Sequence, residues 1–307
     1  MTARSVRKPP TNSTEKGLLY DLELPHEHFD DLWKAVIVED KIKARLLAQA
    51  VLNFTLRPEI NPAKVPLHGV ILLEGPPGTG KTSLARGLAS QVAQCLSGGP
   101  AMRYLEIEPH GLASGQLGRS QQAVRNLLSG VVAERASAGP LVVVLDEVET
   151  LAADRQRLSL EANPIDVHRA TDAVLAQLDH LALQHPNILF LATSNFPQAI
   201  DRAFLSRADL VMNIGLPTAA ACASIVRDTL RALAQAVPKL QTLAESREVD
   251  GLGRQCVGLD GRRIRKVVMS ALAHSKELAL SPEKLTLHEV REAIRLATAV
   301  LGKEEAK

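Results

Sequence analysis

Eight consecutive residues, GPPGTGKT from Gly75 to Thr82, carry the strongest chemical signal in the sequence. They match the pattern GxxxxGK[ST], in which glycines let backbone N–H groups wrap a polyphosphate. Lys81 would reach the β- and γ-phosphates, and the Thr82 hydroxyl would ligate Mg²⁺. The alternative is a glycine-rich turn that binds nothing, but a predicted strand precedes the pattern and a predicted helix follows it, as a phosphate loop requires. The predicted nucleotide-binding residues are Gly75, Pro76, Pro77, Gly78, Thr79, Gly80, Lys81, Thr82 and Ser83.

Two carboxylates follow a second apolar run. Asp146 and Glu147 come directly after Leu141–Leu145 (LVVVL). Open α/β sheets bind ligands at the C-terminal ends of their strands, so Asp146 is predicted to hold Mg²⁺ there, and Glu147 to polarise the water that attacks the γ-phosphate. Acidic residues are also common at helix N-termini, but the phosphate loop in the same chain favours the catalytic interpretation.

Three later features could complete such a site. Asn195 ends the segment LATSN, where its amide could bind the γ-phosphate or the attacking water, although asparagine is also common in turns. Arg202 and Arg207 follow, and a guanidinium from a neighbouring subunit could neutralise transition-state charge. The alternative for both arginines is an exposed ion pair that contributes little. Arg262, in the segment GLDGR, opens a predicted helix and could also reach the phosphates.

These residues need a scaffold, and the hydrophobic pattern predicts one. Strand-like runs alternate with helical patterns, which implies βαβ units and a parallel sheet covered on both faces. The predicted strands are Gly69–Glu74, Arg103–Ile107, Leu141–Leu145, Ile188–Thr193 and Leu210–Ile214. After Pro217 only helices are predicted, over Ala219–Gln235, Leu240–Ser246, Gly261–Leu280 and Thr286–Val300. We therefore expect a flexible leader over 1–28, an α/β domain over 29–216 and a helical domain over 217–307.

Composition excludes several other classes of protein. A net charge of +2, with five Phe, two Tyr and one Trp, argues against a general nucleic-acid binder. No apolar run approaches the roughly 18 residues of a membrane span, and the polar start lacks the apolar core of a signal peptide. Three scattered cysteines favour a reducing cytoplasm, and the histidines show no metal-binding spacing.

The combined motifs resemble the AAA+ ATPases, and within them the pachytene-checkpoint family, whose animal member is thyroid hormone receptor interactor thirteen. GPPGTGKT and LDE are generic to AAA+ proteins, whereas DEVETLAADR and DRAFLSRAD are the more specific evidence. The similarity spans about residues 29–270. It implies an AAA+ core with a five-stranded parallel sheet and a C-terminal helical lid.

The resemblance also implies a function, in which a homohexamer hydrolyses ATP between its subunits and remodels HORMA-domain proteins by pulling on their N-terminal segment. The implied roles are catalytic Glu147, sensor I Asn195, arginine finger Arg207, sensor II Arg262, and adenine contact Val38. Arg202 is the weaker candidate for the finger.

Two departures from the family pattern bear on the client. The loop that lines the central pore usually carries an aromatic pair, but here it contains Gly115, Gln116, Leu117, Gly118 and Arg119. We expect the segment before the core to be too short to hold all of the substrate-recognition domain of eukaryotic members. The chain therefore resembles compact bacterial relatives, which act on HORMA proteins that activate a cGAS-like nucleotidyltransferase in anti-phage signalling, and which regulate that system negatively.

Two alternative functions remain at this point: a general AAA+ protein unfoldase and a DNA-associated AAA+ loader. The missing aromatic pair counts against the unfoldase, because processive pulling needs a firm grip on the chain. The near-zero net charge counts against the loader.

Overall fold

The computed structural model describes residues 13, 17–108, 119–152 and 164–304 of the 307-residue chain. Its internal contacts divide it into two compact units. The first unit comprises the chain up to Gly75 together with Lys81–Asn213, and the second comprises Pro76–Gly80 together with the chain from Ile214 onward. Among the helices of the described segments, none is long and apolar enough to cross a membrane.

A mixed β-sheet forms the centre of the first unit. Its described strands are β1 (Leu18–Leu24), β2 (Val70–Glu74), β3 (Met102–Ile107), β4 (Leu141–Leu145), β5 (Ile188–Ser194) and β6 (Leu210–Asn213). The spatial order is β1-β3-β4-β5-β2-β6, and strands β2 to β6 are mutually parallel. Every residue of β4 and of β5 is buried, as expected for central strands covered by helices on both faces.

All five predicted strands are confirmed to within one residue at either end, but the predicted sheet was one strand short. Strand β1 pairs antiparallel with β3 and lies within the stretch predicted to be a flexible leader. Its sequence, LLYDLEL, mixes charged and apolar residues because it is an edge strand, and only Leu18 and Leu24 are buried. Asp21 of β1 accepts hydrogen bonds from Arg103 and Arg135, which tie the strand to its neighbours.

Helices surround this sheet. They are α1 (Glu27–Ala35), α2 (Asp40–Thr55), α3 (Lys81–Cys95), α4 (Arg119–Asn126), α5 (Ala133–Ala138), α6 (Pro164–Gln184) and α7 (Arg202–Leu205). A π-helical stretch over Leu127–Val132 joins α4 to α5. Helix α3 begins directly after the phosphate loop, and its buried face consists mainly of small residues and leucines, which let it lie close to the sheet.

The second unit is helical in its described part, as predicted. It contains α8 (Ala219–Ala234), α9 (Gln241–Ala244), α10 (Glu248–Gln255), α11 (Gly261–Ala271), α12 (Lys276–Leu280) and α13 (Leu287–Glu304). The predicted helix over Gly261–Leu280 is two helices, α11 and α12. Helix α10 was not predicted, because Gly251 and Gly253 lower its helical propensity.

Packing explains one of the two glycines in α10. A Cβ atom at Gly253 would lie 2.5 Å from the Cβ of Ala223 and 2.7 Å from the carbonyl oxygen of Ala219, both in α8. The close approach of α10 to α8 therefore requires glycine at this position, and the contact outweighs the poor helical propensity.

Candidate functional site

The phosphate loop has the backbone that its sequence predicts. The φ angles of Gly75, Gly78 and Gly80 are 143°, 81° and 95°. Residues other than glycine rarely adopt such positive φ angles. Lys81 is only 5% exposed, and its ammonium donates a hydrogen bond to the Gly75 carbonyl at 2.8 Å. Thr82 and Ser83 continue into the first turn of α3. The loop thus presents backbone and one cation in the arrangement that suits a nucleotide polyphosphate.

The Asp146 carboxylate connects three elements of the first unit. Its Oδ1 atom accepts a hydrogen bond from the Thr82 hydroxyl at 2.7 Å and another from the Thr193 hydroxyl. Asp146 follows β4, Thr193 lies in β5 and Thr82 lies in α3. A hydroxyl and a carboxylate within hydrogen-bond distance are hard oxygen donors of the kind that Mg²⁺ prefers, so the residues present fit the predicted ion.

The side chains of Glu147 and Asn195 lie in contact. The Asn195 Nδ2 atom donates to Glu147 Oε1 at 3.1 Å, and the Asn195 N–H donates to Glu149 Oε1 at 3.0 Å. Glu147 has a φ of 51° and a ψ of 54°, the left-handed region that side chains rarely occupy. Its N–H donates to the Thr193 hydroxyl at 3.2 Å, which helps to hold this strained backbone.

Sequence reasoning missed Thr193 and Glu149. Thr193 is 1% exposed and bridges Asp146 to the Glu147 backbone, so it fixes both carboxylate-bearing residues. The signal for Thr193 was its place two residues before Asn195 at the same strand end. Glu149 is the third acidic residue of the segment DEVE, where it was read only as part of a family motif.

The two candidate fingers have different environments. Arg207 donates from Nε and Nη2 to the Asp179 carboxylate at 2.7 and 2.6 Å, and from Nη1 to the Ala203 carbonyl at 2.6 Å. The hydrogen bonds to Asp179 raise the pKa of Arg207, and the same bonds lower the pKa of Asp179. Arg202 is exposed at the start of α7. The structure therefore holds Arg207, and not Arg202, in a fixed orientation.

Asp209 at the end of the same segment anchors it to the sheet. Its carboxylate accepts hydrogen bonds from the backbone N–H groups of His68, Gly69 and Val70 at 3.0, 2.6 and 3.1 Å. The Asp209 N–H donates to the Val70 carbonyl at 2.8 Å. These bonds connect the arginine-bearing segment to the start of β2, the strand that leads into the phosphate loop.

The remaining predicted residues are less constrained. Arg262 is exposed in the first turn of α11, and its N–H donates to the Gly78 carbonyl at 3.2 Å within the second unit. Asp260 caps α11 by accepting from the Arg263 N–H at 2.9 Å. Val38 is half-buried between α1 and α2. Of the predicted pore loop, residues 115–118 lie outside the described residues, and Arg119 begins α4.

Comparisons with known proteins show which family the chain resembles. Residues 71–216 match the ATPase family associated with various cellular activities (AAA). The chain is 53% identical over 293 residues to CD-NTase-associated protein 6 of Pseudomonas aeruginosa, covering 95% of this chain and 96% of that protein. It is 32% identical over 308 residues to the human pachytene checkpoint protein 2 homolog, covering 92% of this chain and 70% of that protein.

A solved structure shares the fold. The match is to a chain of the Escherichia coli MS115-1 HORMA:CdnC:Trip13 complex, with a TM-score of 0.70 and 17% identity, covering 90% of this chain and 94% of that one. The matching motifs, the site geometry and the extent of these similarities lead to one assignment. The chain belongs to the pachytene checkpoint protein 2 family of nucleotide-binding AAA ATPases.

Proposed function

We propose that this chain is an ATP-driven motor that remodels HORMA-domain proteins, and that it is the negative regulator of a bacterial anti-phage system with a cGAS-like nucleotidyltransferase. The observation that carries the proposal is the convergence of Lys81, Thr82, Asp146, Glu147 and Asn195 in a chain that is 53% identical to a CD-NTase-associated protein. The complex that shares its fold contains a HORMA protein and CdnC, which supports the same partners here.

Each residue of the predicted site has its own role in hydrolysis. The glycine-rich loop and Lys81 bind the triphosphate of ATP. Thr82 and Asp146 hold Mg²⁺, which neutralises phosphate charge when bound. Glu147 orients the attacking water and accepts its proton, while Asn195 fixes the Glu147 carboxylate through the hydrogen bond at 3.1 Å.

The motor acts as a homohexamer in the cytoplasm, in which Arg207 of one protomer reaches the phosphates bound to the next. Residues 29–216 are the large ATPase domain and residues 217–307 the lid, from which Arg262 senses the nucleotide; Val38 contacts the adenine. The loop over 115–119 grips the N-terminal segment of the HORMA client. Neither a membrane nor direct contact with nucleic acid has a part in this function.

The test is a paired measurement of ATP turnover and client conformation. With ATP, Mg²⁺ and a bacterial HORMA-domain protein, the wild-type chain is expected to hydrolyse ATP faster than it does alone and to open the closed client. Glu147→Gln is expected to lower kcat by roughly 10²- to 10⁴-fold, the usual contribution of a general base, while it still binds ATP and the client.

The control is Glu283→Gln, which removes a carboxylate in a short turn of the second unit. It should leave both readouts unchanged. A client that stays closed in the presence of active wild-type protein would contradict the HORMA assignment. Full turnover by Glu147→Gln would contradict the catalytic one. Equal unfolding of an unrelated tagged protein would favour a general unfoldase instead.

A further inference from the structure

We infer, on the basis of the proposed function, that Asp179 is a positioning residue for the arginine finger Arg207. Asp179 lies in α6, and Arg207 follows α7. The carboxylate of Asp179 holds one edge of the guanidinium, so that the remaining N–H groups are presented to a phosphate bound by the neighbouring protomer.

The donor count supports this division of the guanidinium. Arginine has five N–H donors, and bonds to Asp179 and to the Ala203 carbonyl account for three of them. Asp179 takes the edge formed by Nε and Nη2. One N–H on Nη1 and one on Nη2 remain, and within the described residues no acceptor is recorded for them. These two nitrogens can therefore still donate to phosphate oxygens.

The Asp179 carboxylate therefore does not compete with phosphate for the finger. If Asp179 instead accepted from the edge formed by Nη1 and Nη2, its carboxylate would have to leave before phosphate could bind there. Here the two anions would occupy different edges of one planar group, so the ion pair can persist while the finger acts.

The surroundings keep this ion pair in place while leaving it accessible. The Arg207 side chain is 20% exposed and the Asp179 side chain 42%. His68 Nε2 lies 3.4 Å from Asp179 Oδ1, and the His68 backbone N–H donates to Asp209 Oδ1 at 3.0 Å. His68, Asp179 and Arg207 line a cavity of about 400 Å³. A group from another protomer can therefore approach the cluster from outside.

The ion pair with Asp179 fixes the orientation of the Arg207 guanidinium. An unpaired arginine side chain on the surface samples many rotamers, whereas two hydrogen bonds to one carboxylate fix the plane of the guanidinium. A misplacement of about 1 Å in a catalytic group can lower a rate by about 100-fold. Removing Asp179 should therefore lower the rate of hydrolysis without lowering the affinity for ATP.

The experiment compares Asp179→Asn, Asp179→Glu, Arg207→Ala and the double variant Asp179→Asn/Arg207→Ala in the full-length assembled protein. Asp179→Asn is expected to lower kcat roughly 10- to 100-fold with KM for ATP and the melting temperature nearly unchanged. Asp179→Glu should recover part of the loss. The double variant should be no slower than Arg207→Ala alone, because Asp179 acts only through Arg207.

Asp228→Asn is the matched control, because Asp228 also pairs with an arginine, Arg231, and its side chain is also 42% exposed. It should retain wild-type kcat. A second readout is mixing: Asp179→Asn protomers retain Glu147, and Glu147→Gln protomers retain the paired finger. Mixed rings should turn over ATP faster than the two separate preparations together.

Three results would overturn the inference: wild-type kcat for Asp179→Asn when Arg207→Ala is inactive, a further loss on adding Asp179→Asn to Arg207→Ala, or no gain on mixing. Wild-type turnover by Arg207→Ala would show that Arg207 is not the arginine finger, and it would overturn the inference as well. The ATPase proposal fails by a different result, full turnover by Glu147→Gln.

Discussion

The two units of this chain position their functional side chains in different ways. In the first unit, Thr82, Asp146 and Thr193 come from three elements and are joined by direct hydrogen bonds. In the second unit, Arg262 is exposed on the first turn of α11, and the order of that turn comes from the Asp260 cap. Parallel strands in fixed register deliver side chains to one edge within hydrogen-bond distance, whereas a helix fixes the backbone and leaves an exposed side chain free.

The largest difference is expected between Lys81 and Arg262. Lys81→Ala removes an almost buried ammonium that hydrogen-bonds the phosphate loop. The affinity for ATP should therefore fall about 10- to 100-fold, which is the contribution of one hydrogen bond to a charged group. Arg262→Ala should change affinity much less and act mainly on kcat. Titration with a fluorescent ATP analogue measures both. Equal affinity losses in the two variants would show that the units bind nucleotide to the same extent.

Thr193→Val tests the preorganisation of the first unit. Valine keeps the shape of threonine but removes the hydroxyl that serves Asp146 and the Glu147 N–H, so kcat should fall about 10-fold, equivalent to one such hydrogen bond of about 1.4 kcal/mol. Steady-state ATPase assays give the value. The control is Thr229→Val in the second unit, where the hydroxyl donates to the Ile225 carbonyl within α8. Comparable kcat losses in both variants would argue against a specific role for Thr193.

Gly253→Ala tests how the second unit is held together. The added methyl group would lie 2.5 Å from the Ala223 Cβ, so we expect a loss of about 1–3 kcal/mol in the free energy of unfolding. Gly251→Ala, in the same helix, places its methyl group no closer than 3.8 Å to Arg254 and should stabilise by about 0.5–1 kcal/mol. Urea denaturation measures both changes. If both substitutions stabilise, the packing of α10 on α8 is looser than described.

The smallest expected difference between the two units is the reactivity of their cysteines toward an alkylating agent. Cys95 of the first unit is exposed, whereas Cys222 and Cys256 of the second are buried. Burial raises the pKa of Cys256 to about 12, so its thiol stays protonated at pH 8 and unreactive toward alkylating agents. Brief treatment with iodoacetamide should give one adduct by mass spectrometry in the native protein and three after denaturation. Two or three native adducts would indicate that the second unit opens readily.

Some of these contacts could be predicted from the sequence and others could not. The phosphate loop, Asp146 and Glu147 were identified because short-range spacing encodes them, and the contact of Asn195 with Glu147 follows once both are placed at ends of parallel strands. Strand β1 was missed because an edge strand has a weak hydrophobic pattern. The pairing of Asp179 with Arg207 was missed because the two residues are 28 positions apart and on different elements.

The sequence by itself determined the phosphate-loop pattern, five of the six described strands in their order along the chain, and the family. These properties depend on residue types at short spacings and on the periodicity of apolar residues. Only the tertiary structure decided which edge of Arg207 is occupied, that Thr193 links the two carboxylate-bearing residues, and that Gly253 must lack a side chain. Those facts depend on distances between segments far apart in the chain, which are set when the apolar faces of helices and strands pack together.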